Sequence, residues 1–535
     1  MTGGGTGGGT TGGGTGGGAM GGGSGGGAMG GGTGGGGGII QTGTFTISGH
    51  VTYDFVRATY NVATDRGTLD FANSQQRPVR NGLVRVLEGT TVRAMTNTAQ
   101  DGAYSLTFTA MGTGPLTVQA VARTTSPPIL IQDNTAQNAI WAIGANVPMG
   151  GGTVDLRATH GWLGTRYDPN LRTAAPFAVL DTAYTAASTF LAARPSLNFP
   201  LLKINWSPNN TTDDNGTIAN GFIGTSYYDA EINEIFVVGK DGVDTDEYDN
   251  HVIAHEWGHY FEANVSRSDS LGGNHSSGDV LDPRESFTEG WGNACSAIAL
   301  NDTIYSDTYF STGSIDAFGW DMENDSMPTD DPTPGVFSES TVMRFLYDLW
   351  DTTNEGGYDT TTLDLGVITD AFTGGHRTTN ALCTTGSFIT SLKAQAGVNS
   401  AAVDTLLAHW NIGSITSDFG AGDLPLRAMY ADVAALPVNQ TATLNGREEY
   451  NFKSQNKYWV VTGNGARITV SSTTAEDVEI TAYRAGVQVG YADDVYDGTE
   501  TFSFNSTAGT VYVIVLTGYG AVSGTYTATM NITSP

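Results

Sequence analysis

The sequence predicts a multidomain protein, with a central α+β unit flanked by N- and C-terminal antiparallel β-sandwiches. Three observations predict it. At 535 residues the chain exceeds what one hydrophobic core organises. Short runs of alternating apolar and polar residues dominate 39–157 and return at 441–535, the period of half-buried strands. Between them, over 158–440, the apolar spacing lengthens to that of helices.

Residues 1–38 are nearly all glycine, broken by Thr, Ser and two Ala-Met pairs. Such a segment has no side chains to bury, so a disordered tether is expected. In 39–157 the strand candidates are 44–53, 83–87, 103–109 and 116–123, with Asp101-Gly102 as a turn.

The central unit reads as a helix over 175–192, a strand over 201–206 and a strand over 226–239 that is either an edge able to pair with an extended peptide or an ordinary core strand. A helix follows across 250–262, with Asp249 or Asn250 as its N-cap. The polar, Gly-rich loop 266–284 is expected beside the cleft. Further helices are expected from about 285 to 300 and at 338–351, 360–372, 386–396 and 401–409. After 441 the strand candidates are 449–452, 458–462, 467–471, 478–484, 500–505 and 510–516.

The formal net charge of −30 excludes nucleic acid and anionic membrane surfaces as partners, because phosphates would be repelled. It favours a soluble extracellular protein, monomeric by default, and the acidic loop 241–247 is a candidate for Ca²⁺. No run of about 18 apolar residues occurs, so no transmembrane helix is expected. Glycine tracts of this kind follow the lipidated cysteine of bacterial lipoproteins, but no signal segment precedes this one, so secretion and a lipid anchor are inferences without their signal. Cys295 and Cys383 are the only cysteines and neither belongs to a C-x-x-C pair. A disulfide between them is expected ahead of two free buried thiols.

The chemistry centres on His255-Glu256-Trp257-Gly258-His259, the pattern H-E-x-x-H. Residues four apart share a helix face, so His255 and His259 can aim two imidazole nitrogens at one metal ion. Glu256 lies beside that point and can take a proton from a metal-bound water. Val252, Ile253, Trp257, Tyr260 and Phe261 surround the polar triad, as on a helix buried on most sides. A catalytic zinc needs a third protein ligand. The continuation x-x-G-x-x-H would require Gly and His where Glu262 and Val265 stand, so it fails. A carboxylate from the following helix remains, and Glu285 and Glu289 share a face there.

The stretch Glu289-Gly290-Trp291-Gly292-Asn293, with the H-E-x-x-H segment, resembles the gluzincin zinc metallopeptidases and looks most like their fungalysin branch. The resemblance implies a zincin-like central domain, Zn²⁺ held by His255, His259 and Glu289 with Glu285 as rival, and Glu256 as general base in peptide-bond hydrolysis. It also implies a Tyr or His that stabilises the oxyanion, for which Tyr347 and His376 are the candidates, a core ring and a loop residue being their other readings. In that family an aspartate stands where this chain has Asn293. His275 reads as a substrate-side residue or, by preference, a lone surface histidine.

Ile47-Ser48-Gly49-His50-Val51 with Thr98–Leu106 resembles the carboxypeptidase-regulatory-like domain, and the last 95 or so residues look like the bacterial pre-peptidase C-terminal domain. The expected function is a secreted endopeptidase acting on proteins or peptides. An aminopeptidase would need an acidic anchor for a free amine, such as Glu231 or Glu234. A non-catalytic surface adhesin would have no use for Glu256.

Overall fold

The computed structural model describes residues 39–535 apart from 312, 325–330, 332, 355 and 447–448. The glycine tract expected to be a tether lies outside the described residues.

The N-terminal strand Ile40–Phe55 runs antiparallel to the long strand Ala103–Thr125, with Ile47 opposite Leu106. That long strand then pairs with Gly82–Glu88 and turns into Pro128–Asp133. Along Gly82–Glu88 every second residue is buried, which is the alternation read from the sequence. Pro128–Asp133 pairs in parallel with Leu202–Trp206, which pairs in parallel with Glu234–Val237, and Tyr227–Asp229 closes that edge. One 13-stranded sheet therefore runs across the expected boundary at 157. The reason lies in Ile129 to Gln132, which are buried consecutively rather than alternately, so this strand needs cover from both sides. The expected strand 226–239 is a tight hairpin, turning at Asn233 with φ 57°.

Eight helices follow among the described residues: α1 (Ala175–Ala193), α2 (Asn250–Val265), α3 (Pro283–Leu300), α4 (Glu339–Asp348), α5 (Leu365–Ala371), α6 (Thr385–Lys393), α7 (Ser400–His409) and α8 (Leu424–Arg427). The expected helix 360–372 starts later, at Leu365, because the Asp364 side chain accepts the Gly366 N–H and caps it. A hairpin of Ile304–Ser311 and Ser314–Asp321 was not legible, since its residues mix apolar and polar types without regular alternation.

α1 packs on α2, α3 and the strand Pro128–Asp133. Phe190 of α1 meets Phe261 and Trp257 of α2 and Trp291 of α3, with ring centroids 4.7 to 6.0 Å apart. Each fully buried large aromatic is worth about 1.5–3 kcal/mol, so this cluster clamps the two motif helices together. Glycines allow their close approach: a Cβ on Gly258 would stand 3.2 Å from Gly292 Cα and from Cys295 Cβ.

Asp249 stands at the N-terminal flank of α2, as expected, but its side chain makes no cap and instead accepts the Thr308 N–H and hydroxyl. α3 is capped: Asp282 accepts the Arg284 N–H, and Pro283 occupies the first turn. The expected disulfide does not form; Cys295 and Cys383 are both buried free thiols. Cys295 sits on α3 against Gly258, while Cys383 N–H donates to Asp269, so packing holds each in a separate place.

The C-terminal region is two packed sheets. One orders Tyr430–Val433, Asn456–Thr462, Val511–Gly518, Val478–Arg484 and Val487–Ala492; the other orders Val438–Asn445, Thr525–Thr533, Arg467–Thr474 and Gly498–Asn505. Leu444, Val470, Ile480, Ile514 and Met530 fill the space between them. The first of these strands begins at Tyr430, earlier than the expected 441. Residues 449–452 form no strand; Phe452 makes a single bridge to Leu281. This unit docks on the start of α3, where Tyr458 hydroxyl donates to Asp282 and Arg284 spans Asp282 and Asn456.

Candidate metal centre

On α2, His255 and His259 sit one turn apart and bring their Nε2 atoms to 2.9 Å. α3 crosses in front and contributes Glu289, whose Oε2 lies 3.1 Å from His255 Nε2 and whose Oε1 lies 3.6 Å from His259 Nε2. Three donor atoms thus converge from two helices. Gly292 makes the approach possible, since a Cβ there would press on the His255 ring at 2.8 Å. The donor set of two imidazoles and one carboxylate suits zinc.

Electrostatics favour a cation at this point. Burial disfavours charge on His259, but the Glu289 carboxylate, helped by Glu256 and Glu262, outweighs it and lifts the imidazole to about 9. Burial likewise works against an ionised Glu289, yet His259, His255 and His275 hold it well below the usual carboxylate range.

Glu256 is buried, and its Oε2 accepts the Tyr228 N–H at 2.7 Å from the edge strand Tyr227–Asp229. Burial raises its carboxyl above the ordinary value. A base with a raised pKa, fixed by a backbone donor, is suited to taking a proton at neutral pH.

Asn293 stands four residues after Glu289 on α3, where the sequence resemblance implies an aspartate. Its Oδ1 lies 2.9 Å from His255 Nδ1, so the ring N–H donates to the amide and Nε2 keeps its lone pair for the centre. Asn293 Nδ2 then donates to Glu339 Oε1 at 2.7 Å. A carboxylate thus stands one hydrogen bond beyond the amide that meets His255, on the first turn of α4.

Glu339 has a second partner. Its Oε2 is 3.1 Å from His275 Nδ1, and His275 Nε2 faces Glu289 Oε2 at 3.6 Å. Burial disfavours a charge on His275, but Glu339 and Glu289 together raise its imidazole well above the usual value. The expectation of a lone surface histidine is therefore corrected: His275 is 7% exposed and belongs to the centre. The loop 266–284 brings it there, and Asn451 from the C-terminal region steadies the loop by donating to the Asn274 carbonyl.

Glu285 also lies near, but its Oε2 accepts from Ser270 Oγ at 2.7 Å and from the N–H groups of Leu271 and Gly272 at 3.1 Å. Its work is to hold the loop that carries His275, which leaves Glu289 as the better ligand. The two candidates for oxyanion stabilisation are not brought to the centre. Tyr347 packs edge-on against Trp350, and its chief charged neighbours are Glu323 and Asp351. His376 is fully buried among Phe287, Phe372 and Phe388, hydrogen-bonded to Ser387, and burial lowers its imidazole to about 3. Sequence reasoning missed Glu339 and the Tyr228 N–H. Neither carries a local signal, since each becomes functional only through contacts with residues 28 or more positions away.

A family model described as the Mycolysin C-terminal domain matches residues 187–409, less than half the chain but a span that holds every residue of this centre. The match supports a protein of the peptidase type. Among curated proteins none matches the chain. Solved structures similar to parts of it include two that each cover about a fifth of the chain. The pre-peptidase C-terminal domain of a collagenase from Bacillus anthracis is 14% identical, covering 19% of this chain and 93% of its own at a TM-score of 0.16. CorA, a surface-associated copper-binding protein of Methylomicrobium album BG8, is 14% identical over 20% of this chain and 98% of its own, with a TM-score of 0.17. Likenesses this slight carry no weight for function.

Proposed function

We propose that this chain is a secreted zinc-dependent endopeptidase. One observation carries the reading: His255, His259 and Glu289 converge to within 3.6 Å, beside a buried Glu256 that is fixed by a backbone N–H. Zinc bound by those three residues would polarise the scissile carbonyl and lower the pKa of a water from about 16 toward about 7.

The chain's own residues do the rest. Glu256 takes the proton from the attacking water and passes it to the leaving amine nitrogen. Asn293 and Glu339 hold His255 in the tautomer that offers Nε2. His275, held between Glu339 and Glu289, is our candidate to donate to the oxygen that gains charge in the transition state. The edge strand Tyr227–Asp229, beside Glu256, offers a backbone rail for an extended peptide.

Two observations favour an endopeptidase over an aminopeptidase. Glu234 is already paired to Lys203 at 2.7 Å and to Asn205 at 2.8 Å, and Glu231 stands exposed, so neither is a free buried anchor for a substrate amine. A family match that covers peptidase-type chains, together with the intact general base, disfavours an adhesin. Secretion accords with the strongly acidic composition and with the peptidase-type family match.

The test is metal analysis with hydrolysis of unfolded casein and of N-blocked peptides, for the wild type, Glu256→Gln and Glu289→Ala. Glu256→Gln is expected to keep zinc and lose turnover, and Glu289→Ala to lose both. A wild type that binds zinc without hydrolysing either substrate would overturn the reading.

A further inference from the structure

A second convergence of acids lies just upstream of α2. Carboxylate oxygens of Asp244, Asp246 and Asp307 fall within 4.8 Å of one another. Asp244 and Asp246 come from the loop before the helix, and Asp307 from the strand Ile304–Ser311. The loop is pinned to that strand by a bridge between Asp244 and Tyr309 and by the Phe310 N–H donating to the Val243 carbonyl.

Two buried oxygens there lack any partner. Asp246 is 4% exposed; one of its oxygens accepts from the Ser226 hydroxyl, and its Oδ1 has no hydrogen-bond partner. Asp249 is fully buried; Oδ2 accepts twice from Thr308, and Oδ1 again has none. Asp249 lies within electrostatic reach of the other three. Burial first and mutual repulsion second push Asp244, Asp249 and Asp307 well above the ordinary carboxylate range, and burial raises Asp246 to about 6. A buried carboxylate oxygen left without a partner is costly, and four acids together need protons or a cation. The donors are all oxygen, with no imidazole or thiolate among them, which suits a hard cation rather than zinc.

We propose that Asp244, Asp246 and Asp307, with Asp249 behind them, bind a calcium ion. The loop 241–247 expected to hold calcium thus contributes two of its acids and not the others. Asp241 accepts the Tyr167 N–H at 3.0 Å, and Glu247 is paired to the buried Arg172. The essential partner, Asp307, lies sixty positions downstream. The ion ties the loop before α2, the strand Ile304–Ser311 and Ser226 into one unit. Ser226 immediately precedes the strand whose Tyr228 N–H holds Glu256, and Glu256 is itself among the charges felt by Asp246. Calcium here is a brace for the general base, at a place distinct from the centre proposed for zinc.

The experiment uses the full chain, treated with a calcium-selective chelator, desalted and titrated with Ca²⁺ while bound metal, zinc content and melting temperature are followed. One Ca²⁺ per chain and a rise of several degrees in melting temperature are expected. Asp307→Asn and Asp246→Asn should each weaken calcium binding by about tenfold or more, through loss of a ligand charge, while Asp241→Asn leaves it unchanged. Zinc content should stay level throughout, which separates this site from the histidine centre. The proposal is overturned if the wild type shows neither bound calcium nor a melting shift at millimolar Ca²⁺. It is also overturned if a folded Asp307→Asn or Asp246→Asn chain binds calcium as tightly as the wild type.

Discussion

Asn293 and Glu339 act as one unit: the amide Nδ2 donates to Glu339 Oε1 at 2.7 Å while its Oδ1 receives the His255 ring N–H. A neutral side chain thus passes on the influence of a carboxylate it does not itself carry. Such partners of ligating histidines are worth about 10–100-fold in metal affinity. Glu339→Gln is therefore expected to weaken zinc binding by about that factor, measured by competition with a chelator. Asn293→Asp alone should also impair the protein, because it sets two carboxylates in contact. The double variant Asn293→Asp/Glu339→Gln should recover most of the loss, since it moves the charge back next to His255. A double variant no better than Glu339→Gln would show that the relay has no energetic weight.

Glu285 and Glu289 are one helical turn apart, yet only Glu289 faces both histidines. Glu285→Gln should keep zinc at wild-type stoichiometry. It should lower activity indirectly, by loosening the loop at Ser270 to Gly272, visible as faster amide exchange there. Loss of zinc equal to that of Glu289→Ala would transfer the ligand role to Glu285.

For His275, replacement by Ala is expected to leave zinc in place and reduce kcat by about 10²–10³, with a small change in KM, as for the loss of one oxyanion donor. His275→Ala with unchanged kcat would remove it from the chemistry. Tyr347→Phe should leave turnover unaltered, because that ring packs elsewhere.

Glu262 offers a pH test of stability. It is fully buried, accepts the Thr288 hydroxyl at 3.0 Å, and burial raises its carboxyl to about 8 from an ordinary 4.5. The folded state therefore binds this proton more tightly than the unfolded state. Its contribution is fully present below pH 4.5 and is lost as pH rises through about 8. Glu262→Gln removes the dependence. Its melting temperature should exceed that of the wild type at pH 9 by an amount worth a few kcal/mol at most, at about 1.4 kcal/mol per pKa unit, and the gap should close toward pH 5. A gap that does not change with pH would locate the effect in packing instead.

Both cysteines are buried free thiols, so alkylation of the denatured chain without reductant should label two sites per molecule, and reductant should leave the melting temperature unchanged. A mass that shows no labelling would restore the disulfide.

The sequence by itself determined what depends on neighbours within a turn or a strand. The pairing of His255 with His259, the adjacency of Glu256, the alternation along Gly82–Glu88, and most of α1, α2, α3 and α7 follow from periods of 3.6 or 2 that need no knowledge of the fold. Glu289 was legible as one of two residues on the same helix face, and the resemblance carried by Glu289-Gly290-Trp291 favoured it over Glu285. Tertiary structure decided everything that depends on which distant segments meet. It brought Glu339 to Asn293, His275 through a long loop to Glu289, the Tyr228 N–H to Glu256, and Asp307 to Asp244 and Asp246. It also ran one sheet through the expected boundary at 157 and kept the two cysteines apart. The physical reason is the same throughout: periodicity reports which face of an element is buried, whereas a site is a meeting of faces, and no local spacing encodes which face lies opposite.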